Sequence, residues 1–170
     1  VILDGQPELA AETSIEDHPL ILPVIAVSAI GAGGGSTGWV DPQGLLKVGP
    51  GSAGADPGPA CYGRGGTDAT VTDAWLALGC IHADHFLGGR MVLDRAAACE
   101  ALTRLGAGIG IDGTDTAERT AFAMLRIATA RMATEIGKAL AQRGLDPAEF
   151  TLIAYGGAGP AQAATLAEAA

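Results

Sequence analysis

The chain has 170 residues, a formal net charge of −9, 17% charged and 4% aromatic side chains. That length suits one ordinary domain, since domains cluster near ~100 to 150 residues. The acidic balance excludes a nucleic-acid binder, which needs clustered Lys and Arg against phosphate.

Glycine and proline, 26 and 9 residues, make roughly 21% of the chain, short of the ~25 to 30% at which low-complexity disorder becomes the default. With so few aromatics, the core has to be built from small aliphatic and alanine side chains. The longest apolar run, Leu20 to Ile30, is interrupted by Pro23 and Ser28 and falls short of the ~20 residues that span a bilayer, so no membrane partner is expected. Residues Val1 to Ala10 carry Asp4 and Glu8 and no basic segment, unlike a secretory signal. Cys61, Cys80 and Cys99 include no CxxC pair, which suits free thiols in a reducing, cytoplasmic compartment. The chain opens on Val1 in a strand-like run and stops at Ala170 in a helix-like one, which predicts an internal piece of a longer polypeptide.

Val1 to Leu3 followed by Asp4-Gly5 reads as a strand end and a turn. Leu20 to Ile30, rich in Ile and Val, reads as a buried strand. Gly31 to Ser36 breaks it, Thr37 to Val40 is extended, and Asp41-Pro42-Gln43-Gly44 fits a type I turn that returns Leu45 to Val48 as a hairpin partner. Gly49 to Gly66 has the composition of a flexible linker. Within it, Cys61-Tyr62-Gly63-Arg64 brings together a thiol, a phenol and a guanidinium, which favours an ordered loop that approaches a site.

Thr72 or Asp73 can cap a short helix through Leu78, closed by Gly79, and Asp94 starts another that ends near Leu105-Gly106. A long helix is predicted from about Asp115 to Arg143, where Ala121, Met124, Leu125, Ala128, Met132, Ile136 and Leu140 recur at helical spacing. Gly137 on it suggests close packing against a neighbour. Phe150 to Tyr155 reads as a strand, Gly156 to Gly159 as a turn, and Pro160 as the first residue of a new helix. This strand, turn, helix order predicts an α/β architecture, with the Phe150 strand in a sheet and the long helix on its face.

Two glycine clusters follow predicted strands, and both could let backbone N–H groups face an anion without a Cβ in the way. Gly33, Gly35 and Gly38 satisfy GxGxxG, but Trp39 and Val40 lead into a turn and not a helix, so the dinucleotide context fails. Gly137-Lys138 is followed by Ala139, so no phosphate-binding P-loop occurs. Gly156 to Pro160 remains, either as a helix N-terminus facing phosphate or nucleobase or as a purely structural turn. His82 and His85 with Asp84 have a spacing open to a metal, although a solvated loop explains it better because no second ligand pair accompanies them. His18 reads as a surface residue. Cys61 is a nucleophile candidate without a histidine in a local motif, against a small buried side chain. Asp73 reads as a helix cap, or else as a catalytic or substrate-facing carboxylate.

Taken in order, Ile30 to Ser36, Val48 to Ala55, Pro57 to Gly66, Thr70-Val71-Thr72-Asp73-Ala74 and Tyr155 to Pro160 resemble the hydantoinase A / 5-oxoprolinase family, which includes acetone carboxylase beta-type subunits. The likeness covers most of the chain from about Pro23 onward. It implies part of an ATPase domain of the actin-like and sugar-kinase-like superfamily, with ribonuclease-H-like α/β halves. It implies an ATP- and Mg2+-dependent, oligomeric enzyme that opens a cyclic amide such as a hydantoin or 5-oxoproline, or carboxylates a ketone, beside a hydantoinase B-like subunit or domain.

By the same likeness, Gly156, Gly157, Ala158 and Gly159 correspond to an adenosine-side turn, and Gly33, Gly34, Gly35 and Ser36 to a turn near phosphates or substrate. Arg64 would offset phosphate charge, and Asp73 would orient substrate or a metal-bound water. The family's Asp-x-Gly-Gly-Thr phosphate loops are absent and are expected upstream of Val1, with most Mg2+ ligands outside the chain, so the isolated piece is expected to be inactive. Three positions depart from the pattern: Ser28 and Gln162 stand where many relatives have histidine, and Trp75 where asparagine is common. The competing reading is a noncatalytic scaffold that keeps the glycine loops for packing.

Overall fold

The computed structural model describes residues 1–11, 13–15 and 18–170. They fall into two units, Val1–Ile30 and Gly31–Ala170. In the first, β1 (Ile2–Leu3) pairs with β2 (Gln6–Pro7) through a turn in which Asp4 and Gly5 take positive φ of 50° and 73°, as a tight two-residue hairpin requires. Strands β3 (Leu9–Ala10), β4 (Thr13–Ile15), β5 (His18–Leu20) and β6 (Val24–Ile25) nest, with β4 against β5 and β3 against β6.

The run Leu20 to Ile30 is therefore not the single buried strand its composition predicts. Only its first residue and Val24–Ile25 are paired, and Ile21 and Val27 are more than 80% exposed (83% and 82%). Branched apolar residues favour a pleated surface only where neighbours cover it, and among the described residues of this unit the strand opposite Val24–Ile25 is two residues long.

In the second unit, β7 (Ser36–Val40) and β8 (Leu46–Ser52) form the expected hairpin. At its turn the Gly44 N–H donates to the Asp41 carbonyl at 2.9 Å, and the Asp41 carboxylate accepts the N–H groups of Gln43 and Leu45 at 3.0 and 2.9 Å. The Leu45 N–H, with help from the Lys47 ammonium, holds that carboxyl below its ordinary range. Strand β8 runs past Val48, so the first residues of the glycine-rich segment belong to the sheet. Arg131 fixes them from outside, its guanidinium donating to the Val48 carbonyl at 3.0 Å.

Four helices follow: α1 (Val71–Ala77), α2 (Arg95–Ala107), α3 (Thr116–Ala141) and α4 (Gly159–Ala169). Helices α1, α2 and α3 pack against one another, and α4 packs on α3. Among the described residues half of the buried hydrophobic side chains are alanines, set around Val71, Trp75, Leu102 and Met124. Small side chains allow this close approach, and β7 shares it: a Cβ on Gly38 would lie 2.6 Å from Leu105 and 2.8 Å from Met124.

Three local expectations change. The cap of α1 is Thr70, not Thr72 or Asp73. Its hydroxyl accepts from the Asp73 N–H while the Asp73 carboxylate, at the third helical position, accepts from the Thr70 N–H, a reciprocal box that only this register allows. Close helix packing falls on Gly106 rather than Gly137. A Cβ on Gly106 would come within 2.7 Å of the Thr116 methyl, whereas one on Gly137 would meet nothing within 4 Å. Finally, Phe150 to Tyr155 carries no sheet pairing among the described residues, and Ile153 and Tyr155 are 69% and 85% exposed. Its pattern is a propensity that needs an open strand edge beside it, and the β7–β8 sheet is two-stranded, its β7 edge already met by Thr70 and by the Ala69 carbonyl, which accepts the Gly38 N–H at 2.8 Å. Mixed helix and strand content keeps the architecture in the α/β class.

Candidate functional site

The glycine-rich segment after β8 is an ordered loop. The Ala53 N–H donates to the Gly35 carbonyl at 2.9 Å, the Gly58 N–H donates to the Ala53 carbonyl at 3.3 Å, and Pro59, Ala60 and Cys61 are buried. Glycine is required at Gly66 because the backbone of Gly58 and Pro59 passes where a Cβ would stand.

Asp73 holds the far end of this loop to α1. Its Oδ1 accepts the Cys61 N–H at 2.8 Å, and its Oδ2 accepts the Ala60 N–H at 3.3 Å, the Thr70 N–H at 2.8 Å and the Thr70 hydroxyl at 2.7 Å. A carboxylate has about four acceptor sites, so the chain's own donors fill them, and the residue is fully buried. Burial first, and the neighbouring Asp73 carboxylate second, push the Cys61 thiol well above its ordinary pKa. Such a thiol lacks the thiolate a nucleophile needs.

Arg64 lies on the exposed side of the loop. Its guanidinium donates to the Ala55 carbonyl at 3.4 Å and sits 6.0 Å from the centre of the Tyr62 ring. Tyr62 turns inward, its ring 5.6 Å from that of Phe86. None of Arg64's contacts reaches either glycine turn.

The two glycine turns do come together. Thr72, at the start of α1, donates its hydroxyl and its N–H to the Gly34 carbonyl, both at 2.9 Å. A Cβ on Gly34 would lie 2.6 Å from the Thr72 hydroxyl, 3.4 Å from the Trp75 ring and 4.0 Å from the Ala158 methyl. Gly34 and Ala158, 124 positions apart in the chain, thus share one wall built by α1. The first turn is closed on itself, with the Ser36 hydroxyl accepting the Gly33 N–H at 3.1 Å.

The second turn faces outward. A Cβ on Gly156, Gly157 or Gly159 would meet nothing within 4 Å, which leaves flat, open backbone ahead of α4. Pro160 follows at the first positions of that helix and removes one of the N–H donors a phosphate would use. The turn therefore offers an anion fewer N–H donors than a helix start without proline does. No group of three or more His, Cys, Asp or Glu is placed to hold a metal ion among the described residues. His82 uses Nδ1 to accept the Asp84 N–H at 3.3 Å. The residues at hand do not fit a Mg2+ centre.

A cavity of about 520 Å³ opens between α1, α3 and α4. Of its lining residues, Trp75 and Gln162 stand out in the sequence only as departures from a pattern, Leu125 as part of the α3 stripe and Cys80 as a free thiol. Phe122, Leu125, Arg126 and Thr129 also line it. Phe122, Arg126 and Thr129 lie at helical spacing on the face of α3 beside the core stripe that carries Leu125.

Among the described residues, no helix is long and apolar enough to cross a membrane. The hydantoinase/oxoprolinase family profile matches residues 1–170. The chain is 39% identical to caprolactamase subunit alpha of Pseudomonas jessenii over 165 residues, covering 96% of this chain and 23% of that protein. It is 44% identical to the acetophenone carboxylase gamma subunit of Aromatoleum aromaticum over 170 residues, covering 93% and 22%. The crystal structure of the ATP-dependent caprolactamase from Pseudomonas jessenii superposes with a TM-score of 0.81 at 40% identity, covering 94% of this chain and 23% of that one. Nucleotide-free acetone carboxylase gives 0.82 at 28% identity, covering 96% and 23%. The chain spans less than a quarter of the length of these relatives. With a family profile matched from end to end and the α/β fold shared with two ATP-dependent enzymes, these 170 residues belong to the hydantoinase/oxoprolinase family.

Proposed function

We propose that these 170 residues are part of the ATPase domain of a larger cytoplasmic subunit, with its phosphate-binding loops outside this chain. We propose that the subunit, beside a hydantoinase B-like partner, opens a small cyclic amide of the hydantoin, 5-oxoproline or lactam type at the expense of ATP. The observation that carries the reading is the shared wall of Gly34, Thr72, Trp75 and Ala158, which joins two glycine turns far apart in sequence. A scaffold has no need for the open backbone at Gly156, Gly157 and Gly159.

ATP, when bound, would supply a phosphoryl group to the amide oxygen and so open the ring carbon to addition of water; the ring C–N bond then breaks with the proton passing to nitrogen, and a second water releases the phosphate from the acyl group as inorganic phosphate. The chain's own part is to hold and exclude. Gly156 to Gly159 form the surface against which the nucleoside rests, with no Cβ to keep it away. The Gly33 to Ser36 turn, fixed by Thr72, closes the neighbouring wall. Asp73 acts as a positioning residue that keeps the Cys61 loop, and with it Arg64, in place. Arg64 remains solvent-facing and available to phosphate charge supplied from elsewhere in the subunit.

A second reading, carboxylation of a ketone, is favoured by the 44% identity to the acetophenone carboxylase gamma subunit. One assay separates the two. The complete subunit with its partner is given ATP and either a lactam, hydantoin or 5-oxoproline, or a ketone with bicarbonate. Amide-dependent ATP hydrolysis with release of the ring-opened acid supports the amidohydrolase, and ATP use only with ketone and bicarbonate overturns it.

A further inference from the structure

The cavity between α1, α3 and α4, about 520 Å³ in volume, falls within the ~300 to 1,000 Å³ usual for small-molecule sites. Trp75, Leu78, Phe122 and Leu125 give it aliphatic and aromatic walls, and Gln162 of α4 and Thr129 of α3 supply polar atoms. These two are buried, at 4% and 9% exposure, and the Gln162 Nε2 donates to the Thr129 hydroxyl oxygen at 3.0 Å.

That bond leaves one acceptor, the Gln162 Oε1, and two donors, the second Gln162 Nε2–H and the Thr129 O–H. The Gln162 Oε1 has no protein partner, yet among the described residues no fully buried side-chain nitrogen or oxygen lacks one, so this oxygen keeps some exposure, and its side chain belongs to the cavity lining. Thr129 accepts the Gln162 bond and keeps its own O–H to give. A neighbouring acceptor and donor, set in apolar walls, match a group that carries N–H and C=O side by side on one edge. The cis amide of a lactam is such a group, and its methylenes match the walls. A nucleotide matches less well, because Arg126 is the only cation among the lining residues while a triphosphate needs several charge-assisted contacts.

We propose that this cavity is the binding subsite for a neutral cyclic amide, with the lactam N–H on the Gln162 Oε1, the carbonyl on the Thr129 hydroxyl and the hydrocarbon ring against Trp75 and Leu125. This rests on the amidohydrolase reading and names the residues that would select its substrate class. Leaving the Gln162 and Thr129 polar atoms unpaired disfavours a plain hydrocarbon ring, so the site discriminates by the amide edge.

Cys80 lines the same cavity and is solvent-exposed, so it serves as a built-in reporter. The complete subunit is treated with iodoacetamide with and without ε-caprolactam, and alkylation of Cys80 and Cys99 is followed by peptide mass spectrometry. Caprolactam is expected to slow labelling of Cys80 several-fold without changing Cys99. ATP alone is expected to leave Cys80 unchanged, and Gln162→Leu to abolish the protection. Ala130→Phe, which fills the cavity from an exposed helical position, is expected to do the same should Gln162→Leu fail to fold. Equal protection by ATP alone, or protection that persists in folded Gln162→Leu or Ala130→Phe, overturns the subsite. Absent lactam protection with intact ATP binding, measured in parallel by calorimetry, overturns the subsite alone. Lost ATP binding overturns the nucleotide reading instead.

Discussion

The Asp73 carboxylate accepts the Cys61 N–H at 2.8 Å across twelve positions of chain, and so ties the end of a glycine-rich loop to the first turn of α1. Replacement by Asn keeps the size but removes acceptor capacity from a site where the Ala60, Cys61 and Thr70 N–H groups are buried. Each buried donor left unsatisfied costs ~1 to 3 kcal/mol. Asp73→Asn is expected to lower the unfolding free energy of the complete subunit by at least ~2 kcal/mol in urea titrations. An unchanged midpoint would show that the loop does not depend on this carboxylate.

The Cys61 thiol sits against that same carboxylate, and burial raises its pKa above the ordinary value of 9.0. The folded state keeps the proton where the unfolded chain gives it up, so the associated stability is intact below pH 9 and falls as pH rises beyond it. Native alkylation at neutral pH should therefore modify exposed Cys80 first and Cys61 only after denaturant is added. Early modification of Cys61 would contradict the burial.

Gly106 and Gly137 should respond in opposite directions. An alanine methyl at Gly106 would press on the Thr116 methyl at 2.7 Å, and overpacking of this kind costs ~1 to 3 kcal/mol. The same methyl at Gly137 points into open space inside a helix, where replacing glycine stabilises by roughly 0.5 to 1 kcal/mol. Thermal or urea unfolding of the two variants decides the matter, and equal effects would refute the assigned packing.

Local signals in the sequence were sound where one element carried its own reason. The α3 stripe at Ala121, Met124, Leu125 and Ala128, the Asp94 cap of α2 and the Asp41 to Gly44 turn all appear where chemistry within a few residues puts them. Sequence pattern falls short where the outcome depends on a distant neighbour. Gly106 and Gly137 look alike in sequence, and only the approach of Thr116 and Thr120 separates them. Leu20 to Ile30 and Phe150 to Tyr155 have strand composition, but pairing requires an edge that composition does not contain. The candidate site divides the same way. The glycine turns were legible as turns, whereas their meeting at Gly34 and Ala158, and the Gln162 to Thr129 bond, are properties of helix packing.

In the proposed function the open backbone at Gly157 faces a nucleotide. The structure leaves free space around Gly157, so Gly157→Val should fold, while its added methyls keep a nucleoside from the backbone. The expected cost is about 2 kcal/mol, or ~30-fold in Kd. Calorimetric titration of ATP into the complete subunit and its Gly157→Val variant is the direct measurement: a loss of that size with an unchanged unfolding midpoint is the predicted result, and unchanged ATP affinity in the folded variant would put the nucleotide elsewhere.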